Sequence, residues 1–122
     1  MKRTYVEKFS SFAKLPERVA VYVPGTAGPA TDDAELSERM TTETAARLSE
    51  LFGGATITEA SGAWMSEAFG LIREQVKIVY SFTDAETLNR HAAEILEIVQ
   101  HVKSEMAQEA VSVEINGALY LI

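Results

Sequence analysis

The sequence predicts an α+β domain in which helices cover one face of an antiparallel sheet. Three observations carry that expectation. Strand-like runs of period two occupy 18–24 and 74–83, and amphipathic helical stretches occupy about 34–52 and 83–106. Between the helices lies a central segment, 52–82, in which two strands follow each other directly.

The chain has 122 residues, 47% of them hydrophobic, which suits one domain with a real core. It contains no cysteine, so disulfides, thiolate nucleophiles and cysteine metal sites are excluded. Eighteen acidic residues against eleven basic ones give a net charge of −7, which argues against the nucleic-acid backbone as a partner. No apolar run is long enough for a signal sequence or a membrane span, so the expected location is cytoplasmic with no membrane partner.

Residues 1–17 read as an N-terminal arm ahead of a domain spanning 18–122. TYVEKF alternates weakly, Phe9, Phe12 and Ala13 have helical spacing, and Pro16 closes the arm. RVAVYVP at 18–24 is the first strand: β-branched, alternating, and stopped by proline. GTAGPAT is a loop start. Its Gly25, Gly28 and Pro29 suit a lid or a connection, but match neither a Walker loop nor GxGxxG.

Thr31 and Asp32-Asp33 begin helix A, whose stripe is Leu36, Met40, Ala45, Leu48, Leu51 and Phe52, and Gly53-Gly54 ends it. The first central strand runs from Ala55 to Trp64, a connection of about 65–73 follows, and the second runs from Glu74 to Thr83. Thr83 with Glu86 has capping-box spacing for helix B, which carries Leu88, Ala92, Ile95, Val99, Val102 and Met106 to about residue 106. A strand at 110–115, the Asn116-Gly117 turn and a return strand complete the chain.

The order strand, helix, strand, strand, helix, strand, with right-handed crossovers, stacks both helices on one side. The expected fold is therefore the ferredoxin-like βαββαβ sandwich. It has a four-stranded antiparallel sheet, two helices on one face and a short C-terminal hairpin.

Side-chain parity then assigns the faces. The more apolar sets, Val19/Val21/Val23, Val76/Ile78/Tyr80/Phe82 and Val111/Val113/Ile115, are expected under the helices. The open face is expected to show Tyr22, Lys77, Val79, Ser112 and Glu114, joined by Trp64, Thr56 and Thr58 if the first central strand has no bulge. Tyrosine and tryptophan there, with a lysine and a glutamate, suit a homodimer interface or a ligand platform. Glu59 shares parity with Ile57, towards the helices. Unless a bulge turns it out, it needs a partner such as Arg73 or Lys77. Glu59, Glu67 and Glu74 flank the central connection and read mainly as surface charges. His91 and His101 lack the i, i+4 spacing of a shared metal, and neither has a triad partner in the sequence nearby. No catalytic constellation, metal site or cofactor motif emerges.

The first strand VYVP, FGGAT, TEASGAW, GLIREQVKIV and QEAVSVEINGALYLI together resemble a family of small uncharacterised proteins with a ferredoxin-like core. That family occurs in bacteria, archaea and their mobile elements. The likeness spans 19–122, and the 65–69 segment, MSEAF, departs from it. Its pattern picks out Gly62, Trp64, Glu74, Gln108 and Glu109. The resemblance implies a mobile-element setting and a counter-defence role, but no activity.

The leading expectation is a non-catalytic homodimeric protein. It would capture a small polar, nucleotide-like ligand or a partner protein through Tyr22, Trp64, Lys77, Glu114, Glu59 and Glu74. A second is a cofactor-free isomerase or oxygenase of the dimeric α+β barrel type, with Glu59 or Glu74 as base and Tyr22 or Tyr80 as proton donor. A third, an acidic decoy built on Glu35, Glu38, Glu43 and Glu50, is weakened by Arg39 and Arg47 within that row.

Overall fold

A computed structural model describes residues 4–27 and 31–122. The elements in chain order are α1 (Thr4–Phe9), β1 (Glu17–Pro24), β2 (Thr26–Ala27), β3 (Thr31–Asp32), α2 (Ala34–Phe52), β4 (Thr56–Ser66) and β5 (Gly70–Thr83). They continue with α3 (Ala85–Arg90), α4 (Ala92–Glu105), β6 (Ser112–Ile115) and β7 (Ala118–Leu121). One antiparallel sheet has the order β4-β5-β1-β6-β7, and β2 and β3 form a separate two-stranded pair. The first four strands of that order have the ferredoxin-like arrangement. The C-terminal hairpin adds β7 to the sheet, which therefore has five strands where four were expected. No helix among the described residues is long and apolar enough to cross a membrane.

The core lies between one sheet face and α2 with α4. It joins Val19, Val21, Val23, Val79 and Val113 to Met40, Leu48, Ile95, Ile98, Val99, Val102 and Met106. Helix α2 starts where expected: the Asp33 carboxylate accepts from the Leu36 N–H at 3.0 Å. It ends on Gly53, whose φ of 89° is the left-handed cap. The expected helix B is instead two helices broken at His91. Its cap is Asp84, not Thr83, with the Asp84 carboxylate accepting from the Thr87 N–H at 2.8 Å. Thr83 is the buried last residue of β5. The Thr87 amide holds the Asp84 carboxyl below its ordinary pKa.

The central hairpin is longer and tighter than expected. Its register is unbroken from Thr56 opposite Tyr80 to Ser66 opposite Gly70, so much of the expected 65–73 connection is strand. The turn at 67–69 is fastened by the Ser66 hydroxyl, which accepts from the Ala68 and Phe69 N–H groups at 3.2 Å each. The expected strand end at Trp64 is therefore wrong, because cross-strand pairing carries both strands past it.

The parity of β5 is also corrected. Val21 stands opposite Val79 and Val19 opposite Ser81, so Lys77, Val79, Ser81 and Thr83 face the helices. Val76, Ile78, Tyr80 and Phe82, expected beneath the helices, are on the open face. Polar residues are tolerated on the covered side because they find partners: the Ser81 hydroxyl donates to the Gly54 carbonyl at 2.6 Å. The more apolar side of β5 thus points away from the helices.

Gly25 occupies a constrained position. A Cβ there would lie 2.6 Å from the Gln75 carbonyl oxygen of β5. Its own carbonyl accepts from the Asp33 N–H at 3.3 Å. Gly28 and Pro29, of the expected lid, lie outside the described residues. Replacing Gly25 by Ala should separate β1 from β5 at this end. It is expected to lower stability by about 1–3 kcal/mol, read as the urea midpoint against wild type.

Candidate functional site

The six residues expected to act together fall into three groups. Tyr22, which stands opposite Ile78, and Glu114, opposite Ala20, share the middle of the open face. Arg18 organises that region. Its guanidinium lies 4.2 Å from the centre of the Tyr80 ring and 5.9 Å from that of Phe82, and its Nε is 3.5 Å from the Glu114 carboxylate. Glu114 also accepts from the Gly117 N–H, so its carboxylate is tied into the sheet.

Lys77 and Glu59 are on the opposite side. Lys77, expected on the open face, stands opposite Val23 and reaches α2, where its Nζ donates to Glu38 at 3.0 Å. The Glu59 carboxylate is 3.5 Å from the same Nζ. The register has no bulge here, so Glu59 lies on the helix side as its parity required. Its side chain is 79% exposed and paired with Lys77, not enclosed. Val79, likewise expected on the open face, is fully buried in the core.

The hydrogen bond to Glu38, with the negative charges of Glu38 and Glu59, holds the Lys77 pKa above its ordinary 10.5. The folded state therefore binds this proton more tightly than the unfolded chain does. The resulting stability is present below pH 10.5 and disappears as pH rises through the higher folded value. Lys77→Met should accordingly flatten the fall in melting temperature above pH 10.5 relative to wild type. Thermal unfolding followed across that range by circular dichroism checks it.

Trp64 and Glu74 form the third group, and here distant segments meet. Trp64 stands opposite Ile72, and Glu74 stands opposite Gly62, on the same sheet face. They line a cavity of about 320 Å³ with Thr26 after β1 and with Ala107, Gln108, Glu109 and Ala110 between α4 and β6. The cavity lies in the notch where the β4–β5 hairpin projects beyond the end of β1.

Local backbone geometry builds its far wall. Ala107 has φ 51°, in the left-handed region. The Gln108 N–H closes the end of α4 on the Lys103 carbonyl at 3.0 Å. The Gln108 side chain then crosses to β2, its Nε2 donating to the Thr26 carbonyl at 2.7 Å and to Met106 at 3.1 Å. Gln108 thus lines the cavity with its amide nitrogen already engaged. Glu74 and Glu109 add carboxylates, and neither makes a salt bridge among the described residues. Trp64 adds a half-exposed indole. Such a lining accepts hydrogen bonds and favours positive charge against an aromatic face.

Trp64, Glu74, Gln108 and Glu109, singled out together by the family pattern, therefore share one cavity, while Gly62 lies beside Glu74. Thr26, Ala107 and Ala110 carry no signal in the sequence; only the helix end and the strand crossing bring them there. The two histidines lie elsewhere. His91 Nδ1 is 2.9 Å from Glu94, and His101 Nε2 is 3.2 Å from Glu43. Among the described residues no group of three His, Asp or Glu side chains is placed to hold a metal.

No protein-family model matches the chain, and no curated protein matches it in sequence. Solved structures share its fold. A phage SAM lyase in complex with S-methyl-5′-thioadenosine is 16% identical, with 90% of this chain and 91% of that one covered and a TM-score of 0.64. The apo state of a phage SAM lyase is also 16% identical, with 87% of each chain covered and a TM-score of 0.57. At that identity the likeness establishes the fold alone.

Ala107 is an L-residue held in a conformation that glycine adopts freely. Ala107→Gly should raise stability by about 1 kcal/mol, measured by denaturant unfolding, provided that Gln108 keeps its contact with Thr26.

Proposed function

We propose that this protein is a homodimer that captures a small, positively charged nucleoside of the S-adenosylmethionine type in the Trp64 cavity. The observation that carries this reading is the convergence of Trp64, Glu74, Gln108 and Glu109 from separate segments into one acceptor-rich notch. The indole offers a stacking surface for a purine or a sulfonium centre, and the carboxylates attract cationic or donor groups. The S-methyl-5′-thioadenosine held by a protein of the same fold supports the ligand class. The exposed aromatic side of β5, with Tyr22 and the Arg18–Glu114 pair beside it, is the proposed dimer face. Removal of such a signal molecule from a host is one way to act in counter-defence, the role implied by the family resemblance.

A second reading keeps the same cavity and adds chemistry. Glu74 or Glu109 would take a proton from the aminobutyrate carbon adjacent to the one bonded to the sulfonium, and the C–H pair would form a carbon–carbon double bond. The C–S bond would break with its electron pair leaving on sulfur, giving the neutral thioether, an unsaturated amino acid and a protonated carboxyl. The lyase activity named for the fold neighbour favours this over an isomerase or oxygenase.

Calorimetric titration with S-adenosylmethionine, S-adenosylhomocysteine and S-methyl-5′-thioadenosine separates these possibilities. Binding should weaken by about tenfold or more in Trp64→Ala, a loss of about 1.4 kcal/mol. Glu74→Gln should weaken the sulfonium compound more than the neutral thioethers. Absence of binding by all three compounds defeats the ligand assignment. Chromatographic appearance of S-methyl-5′-thioadenosine from S-adenosylmethionine, lost in Glu74→Gln, selects the enzymatic reading.

A further inference from the structure

Two apolar surfaces, at opposite ends of the molecule, have no cover from the described residues of their own chain. The first is the N-terminal arm. Tyr5, Val6, Phe9, Phe12 and Leu15 are each at least half exposed. The Phe12 N–H donates to the Phe9 carbonyl at 3.0 Å, turning the chain so that residues 5–15 line a groove of about 530 Å³. The second is the tip of the central hairpin. Beyond Val76, which stands opposite Pro24, β4 and β5 pair only with each other. Trp64, Met65, Phe69 and Leu71 are 53%, 73%, 82% and 61% exposed there. A two-stranded ribbon is marginal by itself in water, and large exposed apolar patches mark association sites.

The two surfaces cannot meet within this folded chain. β1 enters the sheet at Glu17, opposite Thr83, whereas the tip is at Gly70. The length of β5, roughly 40 Å, separates them. Their charges are complementary. Residues 1–16 contain four basic residues and one acidic one, while the tip, residues 64–72, contains one acidic residue and no basic one. Glu67 lies in the hairpin turn, and Lys8 and Lys14 lie in the arm.

We infer that the arm of one copy seats on the β4–β5 tip of a second copy. Tyr5, Phe9 and Phe12 pack around Met65, Phe69 and Leu71, and Lys8 and Lys14 face Glu67. This contact is separate from the proposed open-face dimer and joins opposite ends of two molecules. Because Trp64 belongs both to the tip and to the cavity wall, the seated arm borders the ligand notch of its partner.

The absence of cysteine permits a direct test. Isotopically distinct copies carrying Phe12→Cys or Phe69→Cys are mixed and mildly oxidised, and the disulfides are mapped by mass spectrometry. A 12–69 disulfide joining the two isotopic forms is expected. Sedimentation of the full chain should show self-association that weakens about tenfold in Phe9→Ser/Phe12→Ser and in Phe69→Ser, with unchanged circular dichroism. Three results would each overturn the inference: no 12–69 disulfide, a wild-type monomer at tens of micromolar, or association indifferent to both variants. Arm-dependent binding of a monomer to phosphatidylglycerol vesicles would also overturn it, by making a lipid surface the occupant. The cross-link reports on the arm and the ligand titration on the cavity, so the arm contact and the ligand assignment fail separately, whereas a wild-type monomer would defeat both the arm contact and the proposed open-face dimer.

Discussion

The antiparallel register between β1 and β5 governs the rest of the molecule. Val21 opposite Val79 places one alternating set of both strands under α2 and α4. Because side chains alternate strictly, that single alignment sends Val76, Ile78, Tyr80 and Phe82 to the open side. A shift by one residue would place Tyr80 in the core and expose Val79. The buried valines of β1, each without measurable exposure, make such a shift costly.

This explains why ranking the two sides of β5 by hydrophobicity leads to the wrong face. The ranking assumes that the more apolar side belongs beneath the helices. Here the covered side tolerates Ser81 and Thr83, and Lys77 reaches its edge, where Glu38 and Glu59 meet it. The open side keeps the larger apolar and aromatic groups, with Arg18 lying across two rings. An apolar sheet surface facing away from the helices is what association with another molecule would leave on an isolated chain.

The same register sets the cavity. β5 continues beyond the last paired residue of β1, so the hairpin stands clear of the sheet and forms one wall. The left-handed turn at Ala107 directs Gln108 back to Thr26 and forms the other. The shape and lining of the notch then depend on where two chain segments stop pairing, which is a property of tertiary geometry and not of any local motif.

Local patterns were sufficient for much of the architecture. Period-two valines marked β1, the Asp33 cap and Gly53 bounded α2, and Asn116-Gly117 marked the last hairpin. Each depends on a backbone preference that acts within a few residues. The strand order of the sandwich followed as well, because crossover handedness leaves few alternatives. Trp64 and Glu74 are legible as candidates, and the unbroken register puts both on the face that carries Tyr22, as expected for Trp64, whereas Lys77 lies on the other face. Tertiary structure alone decided the face of β5, the length of the hairpin and the meeting of Thr26 with Gln108. Those outcomes depend on which strand pairs with which and in what register, and such long-range choices leave no trace in the spacing of neighbouring residues.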